Sequence, residues 1–391
     1  MISWRPHFII NNRFQKREES YSDILTEEIL SDICQKITGQ KEYTVDFVDR
    51  INIGRLAVLI FNGLTTYISF SETEIKGRNS SLQSLPSAFN KYQLDVVSRN
   101  KQICFYFLPS IGNLETPYFI FIYRLMKTAG VIFLNENEFL RRPISPFNTV
   151  EDIIATRNQN QRKNNNPTYL TKSSENSIQI YGKTYGANKY ETTLLCFALS
   201  KITPLPIELY QIGEGGLTIL PKSSIRAILS TKKIKLFVSN RILEKREFEE
   251  NNSLRSSRYI YNLLEKLGNK KCAFCDCEIP QIIQGAHIWS VSDIKKMEYL
   301  TQDEKLECAI DGDNGIWLCQ NHHKLLDVDL LKISEDGKVK YQVQARNNIE
   351  YIKQITTKIE LSKDVLTDKF ILYLQKRNSL IIPIDYIEMN R

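Results

Sequence analysis

The chain of 391 residues contains no run approaching the 18 or so uninterrupted apolar residues that a membrane-spanning helix needs, which excludes a helical membrane anchor. Its first twenty residues also lack the continuous apolar stretch and small-residue cleavage site of a secretory leader. Pro6 and Asn11-Asn12 interrupt them, and the chain reads as cytoplasmic. There is no internal repeat, which excludes a solenoid or propeller array. Missing too is the Gly-x-x-x-x-Gly-Lys-Ser/Thr order in which backbone amides surround a nucleotide phosphate. The nearest stretch, Tyr181 to Asn188, carries its glycines and lysine in another order, so no nucleotide cofactor is expected. Histidine is scarce, at four residues, yet three of them fall between 287 and 323.

What is present is ordinary globular material, 42% apolar and 25% charged, long enough for two or three domains that each bury a core. Of the eight cysteines, Cys272, Cys275, Cys277, Cys308 and Cys319 crowd together near the C-terminus. In a long intracellular chain such clustering points to bound metal rather than disulfides. The net charge of +7 is unevenly spread. Residues 1–240 carry 29 Lys/Arg against 21 Asp/Glu, and residues 241–391 carry 23 against 24, so a polyanion would be gripped by the N-terminal two thirds.

The hydrophobic pattern implies a multi-domain α+β chain. A first domain, 1–156, opens with a helical pattern from Ser22 to Thr38. It continues through aromatic and β-branched segments at Ala57–Phe61, Gln102–Leu108, Tyr118–Ile122 and Val131–Leu134. The run from Arg157 to Asn166 has no apolar residue and ends at Pro167, so it reads as a solvated linker, with Arg157, Arg162 and Lys163 as alternative phosphate contacts. A second, small domain follows at 168–240, with alternation from Ser177 to Tyr181, a helical Glu191–Ile202, and a strand-like Pro206–Ile212. Its Glu191, Glu208 and Glu214 do not complete a carboxylate nuclease pattern with an Asp and a Glu-x-Lys, and are read as structural or recognition residues. A third domain, 241–391, begins with a charged stretch and a helix from Arg255 to Leu267 that Gly268 ends.

That third domain carries the chemistry. Cys272-x-x-Cys275 and Cys319-x-x-His322 are two knuckles whose two-residue spacers let sulfur and nitrogen donors converge on one tetrahedral Zn²⁺, a closed structural site. Cys277 and Cys308 are surplus to a fourfold site and read as ordinary thiols. Trp289 and Trp317 read as core.

Between and beyond the knuckles stand Gly285-Ala-His287-Ile and Asp313-Asn-Gly-Ile-Trp-Leu-Cys-Gln-Asn-His-His-Lys-Leu-Leu-Asp327. With these residues the segment resembles the HNH (ββα-metal) endonuclease family, in particular its restriction-endonuclease-like branch, over a small C-terminal part of the chain. The resemblance implies a β-hairpin followed by a helix, with His287 on the first strand, Asn314 in the loop or second strand, and His323 on the helix. The catalytic set would be His287, Asn314 and His323, and the zinc staple Cys272, Cys275, Cys319 and His322.

Phosphodiester hydrolysis needs a water deprotonated in line with the leaving oxygen, which suits the imidazole of His287 as general base. A divalent cation, Mg²⁺ or Mn²⁺, positioned by His323 with Asn314, would neutralise the charge that builds on phosphate. Adjacent helical residues point about 100° apart, so His322 can face the zinc while His323 faces the DNA. Asp327, one turn on, either orients the His323 ring or is a charge on the helix surface. The position before the base histidine, where relatives carry an acid or a histidine, is Ala286 here, with Asp311, Asp313 or water as substitutes.

The expected function is a type II restriction endonuclease acting on double-stranded DNA as a homodimer, the first two domains reading base edges. The alternatives are a modification-dependent or other anti-phage nuclease, and a zinc-containing nucleic-acid-binding protein that does not cut.

Overall fold

Strand β1 (His7–Gln15) is the pivot of a six-stranded sheet because it pairs in parallel with β4 (Leu64–Glu72) on one side and β5 (Ile103–Phe107) on the other. With β2 (Val45–Asp49), β3 (Leu56–Phe61) and β6 (Ile132–Phe133) the order is β2-β3-β4-β1-β5-β6, the first three strands forming an antiparallel meander. The computed structural model describes residues 7–15, 26–42, 45–49, 56–61, 64–72, 103–107, 117–134, 136–160, 168–173, 176–183, 188–213, 220, 222–239, 241–250, 256–343, 348–382 and 385–390. It divides into two units. One comprises Met1–Asn166, Thr184–Ile207 and Leu220–Lys235, the other Pro167–Lys183, Glu208–Ile219 and Leu236–Arg391.

In the first unit, helix α1 (Glu27–Thr38) starts where Thr26 accepts the Ile29 amide and stops at Gly39, whose φ of 77° few other residues adopt. Tyr118–Ile122, expected as strand-like, lies instead in helix α2 (Pro117–Thr128). The buried positions 121, 122, 125, 126 and 129 recur with a helical period once the run is followed past Ile122, and Pro117 suits a first helical turn.

Helix α3 (Val150–Asn160) extends into the polar run expected to be a linker. Arg157 is fully buried and pairs at 2.9 Å with Glu191 of α4 (Asn188–Ile202), so it does not face phosphates. Losing either partner of such a pair strands a charge, at a cost of about 3–5 kcal/mol. Arg162, Lys163 and Glu214 lie outside the described residues, as does 22–25 of the expected first helix.

The stretch 168–240 is shared between the units, α4 belonging to the first. Four of its segments, β7 (Thr168–Lys172), β8 (Ile178–Lys183), β9 (Ile207–Ile212) and β10 (Ile234–Ser239), form a sheet of order β10-β9-β8-β7. In the second unit Tyr169, Tyr181 and Ile212 of this sheet join one continuous core with Tyr259, Leu263, Ile283, Trp317, Leu326 and Leu374. Each such fully buried side chain contributes about 1.5–3 kcal/mol.

Helix α5 (Ser257–Leu267) is capped by Ser256, which accepts the Tyr259 amide, and ends at Gly268 with φ 71°. It turns Tyr259, Leu263 and Leu264 onto a hairpin made of β11 (Ile283–His287) and β12 (Gly315–Cys319), antiparallel, with His287 opposite Gly315. Two glycines permit the approach. A Cβ at Gly285 would lie 2.5 Å from Leu263, and one at Gly315 would overlap the Tyr259 hydroxyl. Helix α6 (Gln302–Ile310) sits in the connection, started by a capping box between Thr301 and Glu304. Helix α7 (Gln320–Asp327) follows β12 without a break, completing a ββα unit.

Strands β13 (Leu331–Ile333), β14 (Val339–Gln342) and β15 (Tyr386–Glu388) form a last sheet, and helix α8 (Asp368–Leu380) returns to the hairpin. From α8, Arg377 donates to the Leu326 carbonyl and to Asp329, fastening the end of α7.

Candidate active site and metal centre

Cys272 and Cys275 come from the loop before β11, Cys319 ends β12, and His322 lies in the first turn of α7. Their donor atoms all fall within 4.8 Å of one another. The Cys275 and Cys319 sulfurs are 3.9 Å apart, and His322 Nδ1 is 3.1 Å from Cys319 and 3.5 Å from Cys272. Sulfurs about 2.3 Å from a tetrahedral zinc would be about 3.8 Å apart, so the set fits that ion. The other ring nitrogen of His322, Nε2, contacts the Thr356 hydroxyl at 3.1 Å, which fixes the ring as outer partners of zinc-bound histidines do. Burial pushes the Cys275 thiol up to about 12, so a thiolate here calls for a cation to hold it. Cys277 and Cys308 stand outside the cluster, as expected of ordinary thiols.

The chemistry of the hairpin begins at the end of α6. The last four carbonyls of a helix have no partner within it. Here three are met by side chains: Asn314 donates to Cys308 O at 2.9 Å, His287 Nε2 to Ala309 O at 2.9 Å, and Asn262 to Ile310 O at 2.7 Å. A carbonyl only accepts, so the proton of neutral His287 sits on Nε2 and Nδ1 carries the lone pair. The ring also stacks on Tyr259, with centroids 4.0 Å apart and planes within 10°. A helix C-terminus bears partial negative charge, which favours the imidazolium that a general base becomes.

Asn314 is fully buried. Besides Cys308 O it donates to Trp289 O at 3.0 Å and accepts the Trp289 amide at 2.7 Å. It thus binds the chain leaving β11 to the helix end that holds His287. Both amide hydrogens and one lone pair of the oxygen are spent on the backbone.

His323 meets β11 at Gln284. Strand alternation sends Gly285 and His287 toward α5, and Gln284 and Ala286 toward α7. The contacts agree: His323 Nδ1 is 3.3 Å from Gln284 Oε1, and its Nε2 is 3.7 Å from Asp327. That second gap exceeds a direct hydrogen bond, and is narrow enough for both groups to face one ion.

Both acids proposed to replace the one missing at Ala286 are engaged by other side chains. Asp311 accepts from Tyr373 at 2.9 Å and pairs with Lys369, and Asp313 pairs with Lys266 at 2.7 Å and accepts from Thr367. Burial raises the Asp313 carboxyl, but the Lys266 and Thr367 bonds outweigh it and hold it below its usual value. Both acids fasten α8 and α5 to the loop. Trp289 and Trp317 are buried, as expected of core.

Sequence reasoning missed Gln284, Tyr259 and the Ala309 carbonyl. Gln284 had a signal, since period two places it on the face of Ala286. Tyr259 and Ala309 had none, being brought to His287 by the packing of helices that lie well before it and well after it in the chain.

A family model described as HNH endonuclease (HNH_2) matches residues 272–333, from the first knuckle cysteine to the end of β13. A comparison with curated proteins finds no match. The knuckles, the hairpin and the helix thus lie within one matched segment, and residues 272–333 are an HNH endonuclease domain, a metal-dependent nuclease module.

Proposed function

We propose that the chain is a type II restriction-like endonuclease that hydrolyses phosphodiester bonds of double-stranded DNA in the cytoplasm, cutting both strands as a homodimer. The observation that carries the hydrolytic role is the His287 ring, tied at Nε2 to a helix-end carbonyl so that Nδ1 is the basic nitrogen. That nitrogen takes a proton from the water that attacks phosphorus as the 3′ oxygen leaves. His323 and Asp327, with Gln284 alongside, hold Mg²⁺ or Mn²⁺, the imidazole and carboxylate being donors such ions accept. When bound, the ion supplies Lewis-acid stabilisation of the charge growing on the phosphate and the leaving oxygen. Cys272, Cys275, Cys319 and His322 hold the structural zinc. Support for DNA as the substrate is the positive excess of residues 1–240.

Asn314 acts in this reading by positioning the loop. Asn314→Asp is expected to abolish cleavage and to lower the melting temperature more than Asn314→Ala does, because a carboxylate would face two carbonyls where the amide donates. A metal-ligand role predicts the reverse, with the Asn314→Asp protein retaining metal-dependent cutting.

The reading as a whole is tested with supercoiled plasmid, unmethylated and methylated, in Mg²⁺, Mn²⁺ or EDTA. Discrete linear fragments from unmethylated plasmid, absent in EDTA, are expected. Cleavage confined to methylated plasmid, or nicking without linear product, would replace the restriction-like mode with another.

A further inference from the structure

We propose that a cavity of about 290 Å³ beside the catalytic hairpin receives the edge of an amino-bearing base, cytosine or adenine, of the DNA that the domain cuts. This rests on the DNA-nuclease reading above and adds where part of the sequence is read.

One wall of the cavity is the face of β8 and β9 that carries Gln179, Tyr181, Glu208 and Tyr210. The opposite faces of the same strands, Ile178, Ile180, Ile207 and Leu209, are wholly buried. Tyr181 stacks on Tyr210 and Tyr210 on Phe237, each pair with centroids 4.8 Å apart. The faces of Tyr210 are therefore covered by other rings, so this wall offers ring edges and hydroxyls rather than a surface for stacking.

Three hydrogen bonds along this wall run one way. Tyr181 donates its hydroxyl to Gln179 at 3.2 Å, Gln179 donates its amide to Glu208 Oε2 at 3.1 Å, and Tyr210 donates to the same oxygen at 3.0 Å. Every donor points toward Glu208, and among the described residues no hydrogen bond ends on Oε1. The wall therefore terminates in an acceptor that bears negative charge.

A carboxylate set against DNA repels phosphate and is matched only by a donor on a base edge. On the major-groove edge the amino groups of cytosine and adenine are such donors, whereas guanine and thymine present only acceptors there, and a carboxylate accepts from the cytosine amino group. The cavity is at the small end of ligand pockets, which run from about 300 to 1,000 Å³, and has room for one base rather than a length of duplex.

Lys270, Gln281 and Gln284 also line the cavity. Gln284 also touches His323 at 3.3 Å. The occupant is thus one side chain away from the group proposed to hold the catalytic ion, which places the base it reads close to the scissile phosphate.

The test uses full-length protein silenced by His287→Ala, with Glu208 intact or changed by Glu208→Gln, exposed to a random-sequence duplex library without divalent metal. Bound duplexes are sequenced. Intact Glu208 is expected to enrich cytosine or adenine at one position, and Glu208→Gln to flatten that position. A second arm leaves the protein untouched and deletes the amino group from the selected base, using 2-pyrimidinone for cytosine or purine for adenine. That duplex should bind about 10–100-fold more weakly to the Glu208 protein and no more weakly to the Glu208→Gln protein. Equal enrichment by both proteins, enrichment of thymine, indifference to amino deletion, or no enrichment at all would overturn the proposal. Melting temperature and zinc content show whether Glu208→Gln has folded, and the amino-deletion arm stands if it has not. The nuclease reading fails separately, when wild-type protein binds the selected duplex and leaves it uncut in Mg²⁺ and Mn²⁺.

Discussion

Replacing Cys319 with serine is expected to empty the sulfur-rich site and unfold the hairpin with it. The four donors come from a loop, the end of a strand and the start of a helix, and lie within 4.8 Å of one another. Structural zinc in small domains contributes on the order of 10–16 kcal/mol of apparent binding energy, which is folding energy wherever the unfolded chain has no site. That matches or exceeds the total stability of a typical domain, about 5–15 kcal/mol. Elemental analysis should find about one zinc per chain in wild type and almost none in Cys319→Ser, with the melting transition of the C-terminal unit broadened or lost. Cys277→Ser and Cys308→Ser, outside the cluster, should keep the metal. Equimolar zinc retained by Cys319→Ser would refute the assignment.

His287→Ala is expected to lower the cleavage rate by about 10²–10⁴-fold, the contribution of a positioned general base, with little change in DNA binding or melting temperature. The ring is partly exposed and makes its hydrogen bond to a helix-end carbonyl that water can reach once the imidazole is gone, so the fold should survive. The direction with pH follows from the role. A base must be unprotonated, so the wild-type rate should fall once the ring is protonated, while the residual rate of the variant should lose that dependence. Added imidazole should restore part of the activity. A variant as fast as wild type at every pH would remove His287 from the mechanism.

The two metal-binding knuckles were legible in the sequence because each is set by local spacing, and the ββα order because the segment resembles the HNH family. Two residues between ligands, and a strand and helix that share a boundary at Cys319 and Gln320, bring the parts together without long-range information. The supports of His287 were not legible, since they arise when α5 and α6 pack against the hairpin from either side. The division of residues 168–240 between two units was hidden for the same reason: each strand and helix is plain in its own pattern, but the partner that covers its apolar face is not. Arg157 shows the limit of composition. A run without apolar residues looks solvated until one of its cations meets Glu191 in a buried pair, an outcome that depends on a separate helix further along the chain. Ala286 shows the converse. The missing acid was visible, but the candidates to replace it, Asp311 and Asp313, are engaged by Tyr373, Lys369, Lys266 and Thr367 on elements whose placement only the fold reveals.

Adjacent histidines on α7 look in different directions, His322 to the cysteines and His323 to Gln284. Because each residue of a helix turns the next by about 100°, this segment can tolerate changes of residue type at several positions but not a change of length. Deleting or inserting a single residue between Cys319 and His323 would swing one ring away from its own partners whichever register the other kept. Variation among descendants of this chain should therefore leave the count from Cys319 to Asp327 untouched.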